Sequence, residues 1–339
     1  MPAAGTAQLS GRGPDVLVGG TPRSGTTLAQ RLACEIDGVR VPPESHFLPA
    51  FLSRLLGGYR FPLDRAALVE ALSAYVSLGY ITVDVGATAD RLGGACSSPM
   101  TLFRAILDEA TGAPAVVGDK SPLNIRWWRL AAKLSPTTQF VFVVRHPHAV
   151  VSSLMEMHWR PKTVLKGAIR WRGEQELIRR AARQLGGRAT VIRYEDMLDD
   201  AAGVRSHLAA FLGREETSDT RMTFDGAALF RPDETWKARA LGPIDPNRAM
   251  RWQEVLDPTD VMTVSLACAA EMRRWGYAVP PARSASGSRS ARVEVEAMRW
   301  RLQQRVREGY RELALGAAAA PGPGATAGRA LWRIARPVL

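Results

Sequence analysis

The 339-residue chain is predicted to be an α/β protein: a P-loop-like three-layer α/β/α domain around a central parallel sheet, followed by a C-terminal helical extension. Three observations predict this. Short apolar runs, rich in β-branched residues, alternate with stretches whose apolar positions return at helical intervals, as in strands joined by crossover helices. The first such unit carries a glycine-bearing loop of the kind that holds an anion at a helix N-terminus. A composition change at Pro280 ends the pattern, so residues 14–280 are read as the domain.

The first unit runs from the strand-like Val16–Val18 through a tight loop, Gly19 to Gly25, into a helix marked by Leu28, Ala29, Leu32, Ala33 and Ile36. Gly20 and Gly25 match the interval of the triphosphate loop G-x4-G-K-[ST], and Thr27 fills its hydroxyl position. Thr26 stands where the lysine would be, and a cation appears instead inside the loop as Arg23, beside Pro22. First-turn N–H groups have no intrahelical partner and the helix dipole adds positive charge there. The loop is therefore expected to bind an anion other than a magnesium-bound triphosphate.

Gly38 to Glu44 reads as a short strand stopped by Pro42 and Pro43, and Phe47 to Leu56 as an amphipathic helix. Glu44 and His46 then fall at a strand's carboxyl end, the rim where open α/β sheets bind ligands. Leu63–Gly79 and Met100–Ala110 read as helices and are expected to form a lid or acceptor wall. Ala115–Gly118 is the next strand; it delivers Lys120, followed by a helix over Leu123–Leu134. Gln139–Val144 is the clearest buried strand. It delivers Arg145, with Ser153 eight residues on, inside a helix through Met157. A bidentate arginine with a nearby hydroxyl suits a terminal phosphate. Further helices are expected over Lys162–Leu185, Val204–Leu212, Pro246–Leu256 and Asp260–Trp275, and a strand over Arg188–Asp196 that brings in Tyr194.

The net charge of +12 raises a nucleic-acid reading, but Ala282–Leu339 alone carries +7, and no aromatic-interleaved basic stripe or nucleic-acid module is present. Nucleic acid is not an expected partner. Cys34, Cys96 and Cys268 form neither a disulfide framework nor a metal-ligand spacing, and no metal is expected. Three scattered cysteines, residues 1–13 read as a flexible N-terminus without an apolar signal core, and the lack of an 18-residue apolar run together point to a cytoplasmic protein. Residues 281–292 read as a linker, 293–315 as a charged helix with Val295, Met298, Leu302, Val306 and Tyr310 repeating, and 316–339 as a low-complexity basic and apolar tail. Such a tail suits either disorder or contact with the inner membrane surface.

Taken together, the loop Thr21–Thr27, the run Val143–Ser153 and Arg193–Asp196 resemble the sulfotransferase superfamily, whose donor is 3′-phosphoadenosine-5′-phosphosulfate (PAPS). Within it the chain is most similar to the bacterial "Sulfotransfer" branch and to tyrosylprotein-sulfotransferase-like enzymes. Pro122 occupies the place of the histidine of cytosolic members, whereas Glu44 lies 21 residues beyond Arg23, as the glutamate of the tyrosylprotein branch does. The resemblance implies Glu44 as general base, with Arg23 and Lys120 on the developing charge. It also implies Pro22, Arg23, Ser24, Gly25, Thr26 and Thr27 around the 5′-phosphosulfate, Arg145 and Ser153 on the 3′-phosphate, and Tyr194 near the adenine side. His46 is the second candidate base. The acceptor is expected to be a hydroxyl, foremost of a carbohydrate or glycolipid, with a small-molecule or peptidyl hydroxyl as the alternative. Trp127, Trp128, Trp159, Trp171 and Trp236 offer aromatic surface on which a sugar could stack, but most of them are expected in the core, and Lys237 and Arg239 face either an acidic acceptor or solvent. A P-loop kinase or NTPase and a non-catalytic scaffold are the competing classes.

Overall fold

The computed structural model describes residues 12–215, 229–280 and 287–319, and it contains five strands in one parallel sheet, ordered β2-β3-β1-β4-β5. These are β1 (Val16–Gly20), β2 (Val39–Arg40), β3 (Val116–Lys120), β4 (Gln139–Val144) and β5 (Ala189–Arg193). Register pairs Val18 with Lys120 across β1 and β3, and Gly20 with Val143 across β1 and β4. The carboxyl ends that carry Gly20, Lys120 and Val144 therefore share one rim.

Alternation along the central strands explains the three layers. Leu17, Phe140 and Phe142 belong to one apolar layer with Phe47, Phe103 and Trp127, whereas Val16, Val18, Val141 and Val143 join Leu28, Leu32 and Ile192 on the other face. The first layer is roofed by α2 (Ser53–Gly58), α3 (Arg65–Val76), α5 (Pro99–Thr111), α6 (Trp128–Leu134) and the C-terminal half of α8 (Val164–Leu185), with α4 (Val85–Arg91) beside α3. The second is covered by α1 (Thr26–Cys34), α9 (Tyr194–Asp199) and α10 (Ala201–Phe211). A third cluster joins α7 (Pro147–Met155), the start of α8, α12 (Pro258–Arg274) and α13 (Gly287–Ala319), with α11 (Trp252–Val255) packed on α7. Asp64, Asp84, Ser98, Thr163 and Asp257 cap their helices through side-chain acceptors.

Several sequence expectations are corrected. The strand expected over Gly38–Glu44 is only Val39–Arg40, because the paired prolines withhold donors from the ladder. The segment before α2, Phe47–Leu52, winds as a π-helix. Residues 246–256 form two short turns, Pro246–Ala249 and α11, rather than one helix. Trp127, Trp128 and Trp171 are buried in the core, as expected of most of the tryptophans, and offer no surface to a ligand. Residues 287–292, read as linker, are already helical in α13. The repeat read in α13, whose direction the sequence leaves open, faces outward: Val295, Met298, Leu302 and Val306 are 43–69% exposed, while Val293 and Ala297 are buried positions. Residues 1–11, the linker residues 281–286 and the tail residues 320–339 lie outside the described residues.

Residues 63–110 are not a detachable lid. Phe47 stacks on Phe103 at 4.2 Å and Tyr75 closes the same aromatic group, all fully buried. Only Tyr80, just beyond α3, reaches the cleft. Phe103→Ala is expected to lower unfolding free energy by about 3–5 kcal/mol in urea titration, the ordinary cost of emptying an aromatic core position. A loss below about 1 kcal/mol would restore the lid reading.

Candidate active site

A cleft of about 620 Å³ opens at the carboxyl rim of the sheet, within the size range of small-molecule sites. Its floor is the loop between β1 and α1. Ser24 N–H donates to the Thr21 carbonyl at 3.0 Å, and Gly25 at φ 95° turns the chain into α1. A Cβ on Gly25 would lie 2.2 Å from the Tyr194 ring, so both backbone freedom and space demand glycine. The α1 N-terminus has no side-chain cap, which leaves its first N–H groups available to an anion. Arg23 is held at φ 75°, a left-handed conformation uncommon for a side-chain-bearing residue.

Pro22, Arg23, Gly25, Thr26, Thr27, Glu44, His46, Arg145, Ser153 and Tyr194 all line this cleft. The Ser24 hydroxyl is buried beneath the loop without a hydrogen-bond partner. Lys120 lies behind the loop, fully buried, with its ammonium 3.4 Å from Thr27 Oγ1. Arg145 sits flat on the Tyr194 ring at 4.0 Å, and donates to the Arg23 carbonyl at 3.2 Å and the Arg248 carbonyl at 3.1 Å; its Nε has no partner. Ser153 accepts from Arg23 Nε at 3.0 Å and makes no bond to Arg145. An unfilled donor on Arg145 beside a glycine-floored pocket suits an anionic ligand, whereas Ser24, fully buried, does not line the cleft.

At the other side of Lys120 stands Glu44. Its Oε1 accepts from Lys120 Nζ at 2.8 Å and from Lys237 Nζ at 2.6 Å, and its Oε2 lies 3.3 Å from His46 Nε2. Lys237 is itself paired with Glu234 at 2.5 Å. Burial alone would raise the Glu44 pKa, but Lys120, Lys237 and His46 outweigh it and hold the carboxyl down to about 2. Burial moves His46 the opposite way, below its ordinary value, so the imidazole is neutral near pH 7. Asp119 explains the placement: its carboxylate accepts the Ser45 N–H at 3.1 Å and the Asn124 amide at 2.8 Å, while Tyr75 O–H donates to the Ser45 carbonyl at 3.0 Å. That clamp holds the Glu44–His46 segment, with His46 at φ 49° and tilted against Tyr80 at 4.6 Å.

Sequence reasoning left Lys237 as an open choice between acceptor and solvent, and missed Glu234 altogether. The one available signal was scarcity: the chain has five lysines against forty arginines, and two of the five converge on Glu44. Trp159 and Trp236 line the cleft with Tyr80 and His158, and Arg239 joins them there rather than facing solvent alone.

The model of the sulfotransferase family matches residues 14–219, more than half of the chain. The chain belongs to that family. Its fold agrees. The sulfotransferase domain from the curacin biosynthetic pathway is 20% identical, covers 79% of this chain and 100% of its own length, and superposes with a TM-score of 0.53. The sulfotransferase domain of the Synechococcus PCC 7002 olefin synthase is also 20% identical, with 81% and 98% covered and a TM-score of 0.54. No curated protein sequence matches significantly. Family membership therefore stands on the sequence model, and the two structures bear on the fold.

Two outcomes follow from the geometry. Gly25→Ala must displace the Tyr194 ring and adopt a strained backbone, so it is expected to weaken binding of an adenosine bisphosphate at least tenfold by calorimetry; unchanged binding would show that the loop is not the anion site. A carboxylate whose pKa falls on folding stabilises the fold fully above its unfolded value, near 4.5, and loses that contribution as pH falls toward about 2. Denaturant titrations of the wild type should lose on the order of 3 kcal/mol through this window on account of Glu44, a component absent in Glu44→Gln. Parallel pH profiles of the two proteins would contradict the pairing.

Proposed function

We propose that this protein moves a sulfuryl group from PAPS to an acceptor hydroxyl, foremost that of a carbohydrate or glycolipid. The observation that carries the reading is the cluster of Arg23, Lys120, Glu44 and Lys237 between the anion loop and the cleft, in a chain of the sulfotransferase family. PAPS supplies the activated sulfuryl group and leaves as adenosine 3′,5′-bisphosphate; the S–O bond to the phosphate breaks as one to the acceptor forms.

The residues present fit that donor. The loop N–H groups with Thr26 and Thr27 hold the 5′-phosphate end, and Ser24 belongs to the same loop with its buried hydroxyl unpartnered. Arg145, with an unused Nε, and Ser153 take the 3′-phosphate, the group that separates PAPS from ATP. Tyr194, already stacked under Arg145, borders the nucleoside side. Arg23 and Lys120 stabilise negative charge on the sulfonate and the departing phosphate oxygen, without the lysine–magnesium pair of an NTPase loop.

Glu44 takes the acceptor proton. In the free protein its basicity is suppressed by two ammonium groups. When Lys120 and Lys237 engage negative charge in the cleft, their hold on Glu44 weakens and its affinity for a proton rises toward the ordinary carboxylate range. Base strength is thereby linked to a filled donor site. His46, neutral and 3.3 Å from Oε2, is positioned to orient the acceptor hydroxyl. Tyr80, Trp159 and Trp236 give the mouth flat apolar faces that a sugar ring can stack on, which supports the carbohydrate acceptor.

Calorimetric titration tests the donor. Adenosine 3′,5′-bisphosphate should bind far tighter than ADP, with or without magnesium; preference for ADP with magnesium would make the loop a degenerate NTPase site. Arg145→Ala should weaken bisphosphate binding about tenfold or more, since it removes a buried charged donor. Glu44→Gln should lower turnover about 10²–10⁴-fold with bisphosphate affinity within threefold of wild type. A larger loss in His46→Gln than in Glu44→Gln would transfer the base to the histidine.

A further inference from the structure

Helix α13 is docked on the domain by one face only. Val293 and Ala297 are buried, and the Trp300 ring fills the space over Gly173, where a Cβ would come within 2.2 Å of it. Arg311 donates to the Arg126 carbonyl at 2.6 Å and stacks on Trp127 at 4.0 Å. Ion pairs Arg172–Glu294, Arg301–Glu176, Arg129–Glu308 and Lys133–Glu312 fasten its flanks. The helix cannot roll without breaking these contacts, so its outer face is fixed toward solvent.

That outer face is apolar. Val295, Met298, Leu302, Val306 and Leu313 fall at helical intervals and are 43–69% exposed, a stripe of about 27 Å along the helix axis. Monomeric proteins seldom leave such a continuous apolar strip open. Arg299 and Arg292 border it on one side and Arg305 on the other, all exposed; the four acids of this helix are already paired, Glu294 with Arg172, Glu296 with Arg299 at 3.2 Å, Glu308 with Arg129 and Glu312 with Lys133. An apolar stripe between arginine rims is the composition of a helix lying in a membrane interface.

We propose that α13 docks this protein on a bilayer carrying anionic headgroups, with the stripe inserted at the acyl boundary and the arginines among the headgroups. Charge decides between occupants. A second copy meeting the same stripe would bring two arginine rims together, whereas an anionic surface complements them. The chain after α13 continues the same chemistry, with Arg329, Arg333 and Arg336 among Leu331, Trp332, Ile334 and Leu339, and the segment from Ala282 onward carries +7 of the net +12. This inference rests on the helix and its charge, independently of the donor and the acceptor.

The test is co-sedimentation of the full chain with vesicles of phosphatidylcholine alone or with 30 mol% phosphatidylglycerol, beside light scattering of the free protein. Binding to the anionic vesicles alone is expected, reduced at least tenfold in Met298→Glu/Leu302→Glu. Both positions are largely exposed, so that variant should keep the wild-type melting temperature and bisphosphate affinity. Retained vesicle binding in the variant would assign the contact to another segment and overturn the proposal. Absence of wild-type binding, or a dimer mass that the variant dissolves, would overturn it in favour of no bilayer or of a second copy.

Discussion

The Glu44 carboxylate, held between Lys120 and Lys237, is the interaction on which the rest of the site depends. A buried carboxylate is tolerable only when its charge is matched, and here two ammonium groups do so at once, with the His46 imidazole 3.3 Å from the other oxygen. The arrangement draws three distant parts of the chain to one point: the loop after β2, the end of β3 and the turn at Thr235–Ala240. It also keeps two cations beside the β1–α1 loop in a low-dielectric setting, where their field is strongest. Removing Glu44 would leave Lys120 fully buried and uncompensated; burial already pulls its pKa down, so loss of the ammonium proton is the route by which the site would relax.

Strain and clamping serve the same end. Among the described residues, three other than glycine have positive φ, and two of them, Arg23 and His46, line the cleft. Each is over-determined by its surroundings, Arg23 through Ser153 and the turn to Gly25, His46 through Asp119, Tyr75 and Tyr80. Backbone strain held this way fixes a side chain that a relaxed loop would let wander. Asp119 is thus as much a part of the site as Lys120 beside it, although it touches only protein.

Much of the fold was readable because it follows from local rules. The β4 run and the loop before α1 are short-range patterns whose meaning depends on few neighbours, and Glu44, Arg145 and Lys120 follow from their distance to strand ends. Lys237 and Glu234 were not readable, because they stand in an irregular stretch with no period, and their partner is almost two hundred residues away. The tryptophans show the other limit: composition reveals aromatic surface, but only packing sorts Trp127, Trp128 and Trp171 into the core and Trp159 and Trp236 into the cleft. In α13 the apolar period was readable and the direction it faces was not. Helical spacing reveals a stripe, and the ion pairs and the Trp300–Gly173 contact decide which face turns inward.

The most direct measurement is the titration of the Glu44 side-chain carboxyl by carbon-detected NMR, in the free protein and with adenosine 3′,5′-bisphosphate plus sulfate as stand-ins for the donor. A carboxyl still ionised well below pH 4 in the free protein, and a clearly higher midpoint once anions occupy the cleft, would establish a base that the two lysines restrain and the donor releases. A free-protein midpoint at the ordinary carboxylate value, unmoved by the anions, would contradict it.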